Sequence, residues 1–314
     1  MAERWLPATD SRFRRLNFHL FNANKHLLHV FAIVLANPID TICRFIHTMT
    51  QFKTSPPKTS FSKLGFPADH ILLITLSRPK SLNCINYQGH VELDAVYKWF
   101  DHEPQLRVAI ITGEGRAFCA GADLKEWNDS NAAGKSRRAS PFPASGFGAL
   151  STRSGLKPVI CAVNGIAFGG GFEMIINADI VLASSSAQLG LPEVKRGVVA
   201  LAGALPRLTR VVGRQRAMEM CLAGRAYSAQ QMHEWGVVNA VVDGDVVAEA
   251  VKWAVEIAGN SPDAVIVSRQ GVMSGWDGIS AQAGTEKIMQ EWHPKIDRGA
   301  NMVEGEADSF AYAR

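Results

Sequence analysis

The chain has 314 residues, 47% hydrophobic and 20% charged, a globular balance that excludes fibrous and disordered classes. The length allows one large domain or two ordinary ones, with a sizeable core either way. The net charge of +4 is unevenly placed: residues 1–60 carry eight Lys/Arg against three Asp/Glu, and the rest carry 25 against 26, so the body has no electrostatic footprint for DNA.

The N-terminal segment is basic and acid-poor, with Arg4, Arg12, Arg14, Arg15 and Lys25. Two readings stay open for it, a mitochondrial address and a plain extension. Its apolar run Leu27–Ala36 is about half the ~20 residues that span a bilayer and contains His29, so no membrane span is expected. The C-terminal Tyr312-Ala313-Arg314 is not an S-K-L address. Five widely spaced cysteines without a C-x-x-C (Cys43, Cys84, Cys119, Cys161, Cys221) read as reduced thiols in an intracellular compartment. The location expected is mitochondrial or peroxisomal.

Residues 51–68 are rich in Lys, Ser, Thr and Pro and read as a linker, closing an extension over 1–67. His70–Leu76 is the first strand, halted by Pro79. Val91, Leu93, Val96, Tyr97 and Phe100 share one face of a predicted helix. Val108–Gly113 is a short apolar run ended by glycine, the mark of a buried strand. It is followed by Ala117-Phe118-Cys119-Ala120-Gly121-Ala122-Asp123-Leu124. Residues 128–148, with Lys135, Arg137 and Arg138, read as a mobile surface loop. Then the pattern recurs. Pro158–Val163 is a second buried strand, and Asn164-Gly165-Ile166-Ala167-Phe168-Gly169-Gly170-Gly171-Phe172-Glu173 follows it. Both strands thus pass through a small-residue turn into a helix, Asp123 onward and Phe172–Asn177, and Ile180–Ala183 is a further strand. This is an α/β alternation with an internal pseudo-repeat over 68–205. From 206 to 314 the signals are helical, at 206–223, 228–235, 246–258, 262–275 and 279–298, a region suited to packing on its own core or on neighbouring subunits.

Chemistry concentrates at the paired turns. Glycine lets a backbone approach a ligand closely, and the first N–H groups of a helix have no partner within it. Two such turns side by side offer two amides to a carbonyl oxygen that gains negative charge. Taken alone, three glycines read better as tight strand–helix packing, and no G-x-G-x-x-G or G-x-x-x-x-G-K-[ST] supports phosphate binding. Glu173 shifts the balance, because it stands among Phe172, Met174, Ile175 and Ile176. Glu193 is likewise a carboxylate in apolar company, in Leu189-Gly190-Leu191-Pro192-Glu193-Val194; its structural alternative is a first-turn glutamate after proline. Two carboxyls sharing one cleft disfavour each other's ionisation, so one stays protonated while the other is charged. Asp123 fits a capping box with Glu126 and is read as structural. Cys119 and Cys161 read as core residues, His102 and His233 as surface residues. No motif supports a metal or a G-x-S-x-G nucleophile.

At these residues the chain resembles the enoyl-CoA hydratase/isomerase, or crotonase, family. The matching segments are Arg78–Asn83, Arg116–Glu126, Asn164–Glu173 and Leu191-Pro192-Glu193, within a resemblance covering 68–314. The resemblance implies an α/β fold, a crotonase-like spiral of ββα units with a C-terminal helical region, assembled as homotrimers or homohexamers. It implies that Ala122 and Gly170 give the oxyanion-hole amides. Glu173 then activates water and Glu193 delivers a proton to the α-carbon of a 2-enoyl-CoA, giving a 3-hydroxyacyl-CoA by syn addition. Lys80, Leu82, Ala120, Asp123, Leu124 and Lys125 map to the coenzyme A side of the site. The partner implied is an acyl-CoA thioester, with no cofactor beyond the coenzyme A of the substrate. Alternatives are an enoyl-CoA isomerase and a non-catalytic, RNA-binding relative. Phe172 and Ala204 depart from the family's smaller residues, which leaves the acyl group open.

Overall fold

Runs such as Val108–Gly113 are apolar at every position, and a strand of that kind needs cover on both faces. The computed structural model describes residues 52–126 and 143–297. Its strands are β1 (Ser62–Gly65), β2 (Ile71–Leu76), β3 (Val108–Gly113), β4 (Ala117–Cys119), β5 (Val159–Val163), β6 (Ile166–Phe168), β7 (Ile180–Ser184), β8 (Gln188–Gly190), β9 (Tyr227–Ser228) and β10 (Ala240–Val242). A six-stranded sheet runs β1-β2-β3-β5-β7-β10, and a four-stranded sheet runs β4-β6-β8-β9. The large sheet is parallel from β2 to β10, in register Ile71 with Val108, Ala109 with Val159 and Ile160 with Ile180. The chain spirals: β3 lies in the large sheet and β4 in the small one, then β5 and β6, then β7 and β8.

Side chains on these strands alternate between two cores, as the two-residue period requires. Ala109, Ile111, Val159, Cys161 and Val163 point into the main core with Phe100, Phe118 and Phe172. Val108, Ile110, Ile160, Ala162 and Leu182 point the other way, onto Val246, Ala250, Ala254 and Ala258. Those four lie one helical step apart on a single face, and three are alanines, which lets that helix sit close to the sheet.

The helices are α1 (Tyr87–His102), α2 (Gly170–Ile175), α3 (Ala204–Val212), α4 (Arg214–Ala223), α5 (Ala229–Glu234), α6 (Val246–Ala258), α7 (Pro262–Trp276), α8 (Ala281–Lys287) and α9 (His293–Asp297). α1 extends four residues before the predicted Val91, because Asn86 caps it by accepting from Gly89 N at 2.9 Å. α7 is pinned by Arg269, whose Nε lies 2.8 Å from Asp179 Oδ1. The other oxygen of Asp179 accepts from Val159 N at 2.8 Å.

Several expectations need correction. The segment read as a linker over 51–68 contains β1, antiparallel to β2. An edge strand needs few apolar residues, so Lys63 faces outward to Glu114 at 2.8 Å while Phe61 is buried. The small-residue turns begin with real strands, β4 and β6, too short for a period to show. The helical region from 206 contains β9 and β10, again of two and three residues. The helix expected at 206–223 is two helices, broken at Gly213. The last part of the loop expected at 128–148 is not a surface: Gly146, Phe147 and Gly148 are buried. The extension through residue 51, the Lys135-Arg137-Arg138 cluster and residues 298–314 lie outside the described residues. Among the described residues no helix is long and apolar enough to cross a membrane.

Candidate active site

β4 leads into Ala120-Gly121-Ala122 and β6 into Gly169-Gly170, and because β4 and β6 pair in parallel the two junctions meet. Gly121 has φ 102°, and a Cβ there would lie 3.1 Å from Phe168 O and 3.4 Å from Gly170 N. Gly169, at φ 56° and ψ −126°, caps α2, a conformation that only glycine adopts without strain. Ile85 brackets Ala122: Ile85 N donates to Gly121 O at 3.0 Å and Asp123 N to Ile85 O at 3.1 Å. Successive residues of an extended strand point their amides to opposite sides, so the N–H of Ala122 faces away from Ile85. At the other junction, the first amides of α2 have no partner within the helix.

Glu173 lies on α2 and is only 3% exposed. Ala202 N donates to its Oε1 at 3.0 Å and to its Oε2 at 3.2 Å, and Ala204 N donates to Oε1 at 3.4 Å. Ala204 opens α3, whose N-cap, Gly203, has no side chain to offer. The carboxyl of Glu173 therefore does the capping from another helix. Burial raises its pKa to about 7; the Ala204 and Ala202 amides pull the other way, the charge of Glu193 adds to the rise, and Arg207 opposes it.

Glu193 follows Pro192 and opens a 3₁₀ turn, Glu193–Arg196. Its Oε1 lies 3.3 Å from where a Cβ on Gly169 would stand. Its Oε2 is buried and makes no hydrogen bond among the described residues, and burial raises its pKa. One carboxylate thus abuts the cap of the helix that carries Gly170 and the other. The pair is within electrostatic reach, and both carboxyls are shifted toward protonation.

The remaining sequence candidates sit around the first junction. Ala120 N donates to Leu82 O at 3.0 Å, so these two are side by side. Leu82 adopts a left-handed conformation, and Lys80, Leu124 and Lys125 are exposed. The carboxylate of Asp123 is engaged within the chain, with Arg78 at 2.9 Å and Lys125 N at 3.2 Å. Its capping box does not form. Glu126 instead accepts from Tyr87 N at 3.0 Å and so serves α1. Phe172 is fully buried in the main core. Ala204, also fully buried, gives its amide to Glu173. Cys119 and Cys161 are core residues, and His102 and His233 are exposed, as expected.

Sequence reasoning missed Phe147, His90 and Ala202. The ring of Phe147 lies against Gly170, 2.5 Å from where a Cβ would stand. His90 packs edge-on to that ring at 4.6 Å and accepts from Gly148 N at 3.0 Å. Burial lowers the His90 pKa to about 4, so it is neutral at pH 7. A histidine on the apolar face of α1 was the available signal. Ala202 acts through its backbone, which leaves no signal.

The chain matches the family model described as enoyl-CoA hydratase/isomerase over residues 68–297. The chain belongs to that family. Among curated relatives, it is 52% identical over 261 residues to the mevalonyl-coenzyme A hydratase of Beauveria bassiana, covering 81% of this chain and 93% of that protein. It is 49% identical over 243 residues to the mevalonyl-coenzyme A hydratase of Aspergillus fumigatus, covering 77% and 89%. Among solved structures, the enoyl-CoA hydratase of Mycobacterium tuberculosis H37Rv superposes with a TM-score of 0.72 at 31% identity, covering 82% of this chain and 97% of that one. The fold is the α/β crotonase fold of the enoyl-CoA hydratase/isomerase family. The chain is an enzyme of the hydratase and dehydratase class, a carbon–oxygen lyase acting on coenzyme A thioesters.

Proposed function

We propose that this chain interconverts a 3-hydroxyacyl-CoA and its 2-enoyl-CoA, with a branched, hydroxylated acyl group of the mevalonyl type as substrate. The thioester oxygen binds the amides of Ala122 and Gly170. Charge that develops there as the α-carbon is deprotonated is stabilised by those donors, each worth about 3–4 kcal/mol in such a site. In the dehydrating direction Glu193 takes the proton from C2. Glu173, protonated, gives a proton to the C3 hydroxyl, which leaves as water. Hydration is the reverse: Glu173 takes a proton from water as its oxygen bonds to C3, and Glu193 returns one to C2. Each direction needs one carboxyl protonated and the other ionised. Lys80 and Lys125 are exposed cations suited to the phosphates of coenzyme A, with Leu82, Ala120 and Leu124 alongside.

The observation that carries this reading is the placement of Glu173. It is buried, pushed up to about 7, under the influence of Glu193, and on the helix whose first amide adjoins Gly121. The choice of acyl group rests on the likeness to the mevalonyl-coenzyme A hydratases of Beauveria bassiana and Aspergillus fumigatus. The test is turnover of mevalonyl-CoA and crotonyl-CoA by the wild type, Glu173→Gln and Glu193→Gln, followed by the enoyl-thioester absorbance. Preferred turnover of mevalonyl-CoA, lost in both variants, is expected. Preference for crotonyl-CoA would overturn the acyl assignment. An isomerase activity lost in one variant alone would overturn the two-carboxyl chemistry.

A further inference from the structure

The turn from Gly146 to Ser151 wraps the start of α2. Phe147 covers Gly170, Gly148 lies against the Met174 side chain, and Asn177 Nδ2 donates to Leu150 O at 2.8 Å. The turn holds Ala149 at φ 52°, a conformation that costs a non-glycine residue free energy and persists only when its surroundings impose it. Ser151 ends this turn and is fully buried. Its Oγ accepts from Phe147 N at 2.8 Å and donates to Ala202 O at 2.7 Å. The Ala202 carbonyl belongs to the peptide lying between the two whose N–H groups face Glu173. One hydroxyl therefore ties the turn that packs on Gly170 to the segment that orients the Glu173 carboxyl, and the ring closes through α2 itself. The two groups that this hydroxyl joins, Phe147 N and Ala202 O, are more than fifty residues apart along the chain.

We propose that Ser151 is a positioning residue for the reaction, fixing the Ala202–Ala204 backbone on Glu173 and the Phe147 ring on Gly170 through its single hydroxyl. This rests on the reading of Glu173 as the acid–base group. The charged groups acting on Glu173 are Glu193, from the turn after β8, and Arg207, from α3. Ser151 Oγ bonds to neither of them, but Arg207 Nη1 donates to Gly203 O at 3.0 Å, so removing the hydroxyl loosens the amide donors and the seat of Arg207 together, and both changes act in one direction. With those donors misaligned the carboxylate form of Glu173 is less stabilised, and its titration moves to higher pH.

The test uses the full chain with Ser151→Ala and Ser151→Cys, the second of which keeps the shape and a weak donor. Glu173 is titrated by side-chain carboxyl NMR, with Glu173→Gln identifying its signal, and kcat and KM for mevalonyl-CoA are measured across pH. Ser151→Ala is expected to lower kcat about tenfold or more, the scale on which small displacements act. KM should stay within about threefold, the Glu173 titration should move to higher pH, and Ser151→Cys should fall between. A lower melting temperature with an unmoved Glu173 titration and pH profile overturns the proposal, because Ser151 would then only fill space. Should Ser151→Ala not fold, the same readouts in Ser151→Cys decide. Should the wild type turn over no acyl-CoA, the acid–base reading fails separately. The NMR titration then still decides the coupling, in favour if it moves and against if it does not.

Discussion

Replacing Glu173 with glutamine tests the acid–base reading through stability as well as rate. Glutamine keeps the shape and an oxygen for the Ala202 and Ala204 amides, and it stays neutral at every pH. The wild-type carboxyl is raised from 4.5 to about 7. A carboxyl whose folded value lies above its unfolded value binds extra protons in the folded state, so stability falls as pH rises between those values. The span corresponds to about 3 kcal/mol, fully exerted above pH 7 and absent below about 4.5. The group is 3% exposed, so solvent screening does not reduce this much. Glutamine also brings an –NH₂ toward Ala202 N, a pH-independent cost of about 1 kcal/mol. Urea unfolding of both proteins at pH 5, 6, 7 and 8, at one protein concentration, isolates the pH-dependent part. The variant is expected to gain on the wild type steadily from pH 5 to 8, by about 2–3 kcal/mol, while its kcat is lower by about 10²–10⁴. A stability difference that is flat across this range would refute the elevated carboxyl and with it the proton exchange.

Gly170→Ala forces a methyl into the Phe147 ring; a stability loss of about 1–3 kcal/mol and a fall in kcat are expected. Phe147→Ala in the same chain should restore part of the stability, read from thermal melts. Arg269→Ala leaves Asp179 half-buried without its cation and frees α7 from the sheet, so a loss of about 3–5 kcal/mol is expected, measured by urea unfolding. Phe100→Ala opens a cavity in the main core and should cost about 3–5 kcal/mol with KM of the surviving enzyme unchanged. Lys80→Ala and Lys125→Ala should raise KM for the coenzyme A ester, more at low ionic strength, and leave kcat near its wild-type value.

Much of this was legible because the large sheet is parallel and covered on both sides. Its strands are continuous apolar runs, and Val108–Gly113 was bounded to the residue. α6 was equally clear, since its buried alanines and valine recur every four positions. β1, β9 and β10 were hidden for the same physical reason: strands of two to four residues at or near an edge need no apolar period. Within the site, the carboxylates and glycines were visible because their chemistry conflicts with their neighbourhood. The Ala202 and Ala204 amides were not, because a backbone donor has no residue type. Glu126 misled for a related reason, while Asp123 is structural as read and accepts from Lys125 N. A capping box is a local pattern, and here the partner of Glu126 is Tyr87, thirty-nine residues earlier.

The alternation of the spiral between two sheets means that Gly121, Gly170 and the approach to Glu193 occupy equivalent points on successive circuits, following β4, β6 and β8. Their spacing is set by the repeat of hydrogen-bonded strands, not by how much chain is spent getting from one circuit to the next. Lengthening or shortening a connection on the outside of a circuit would leave the three groups aligned. A slip of one residue in any of those three short strands would pull them apart.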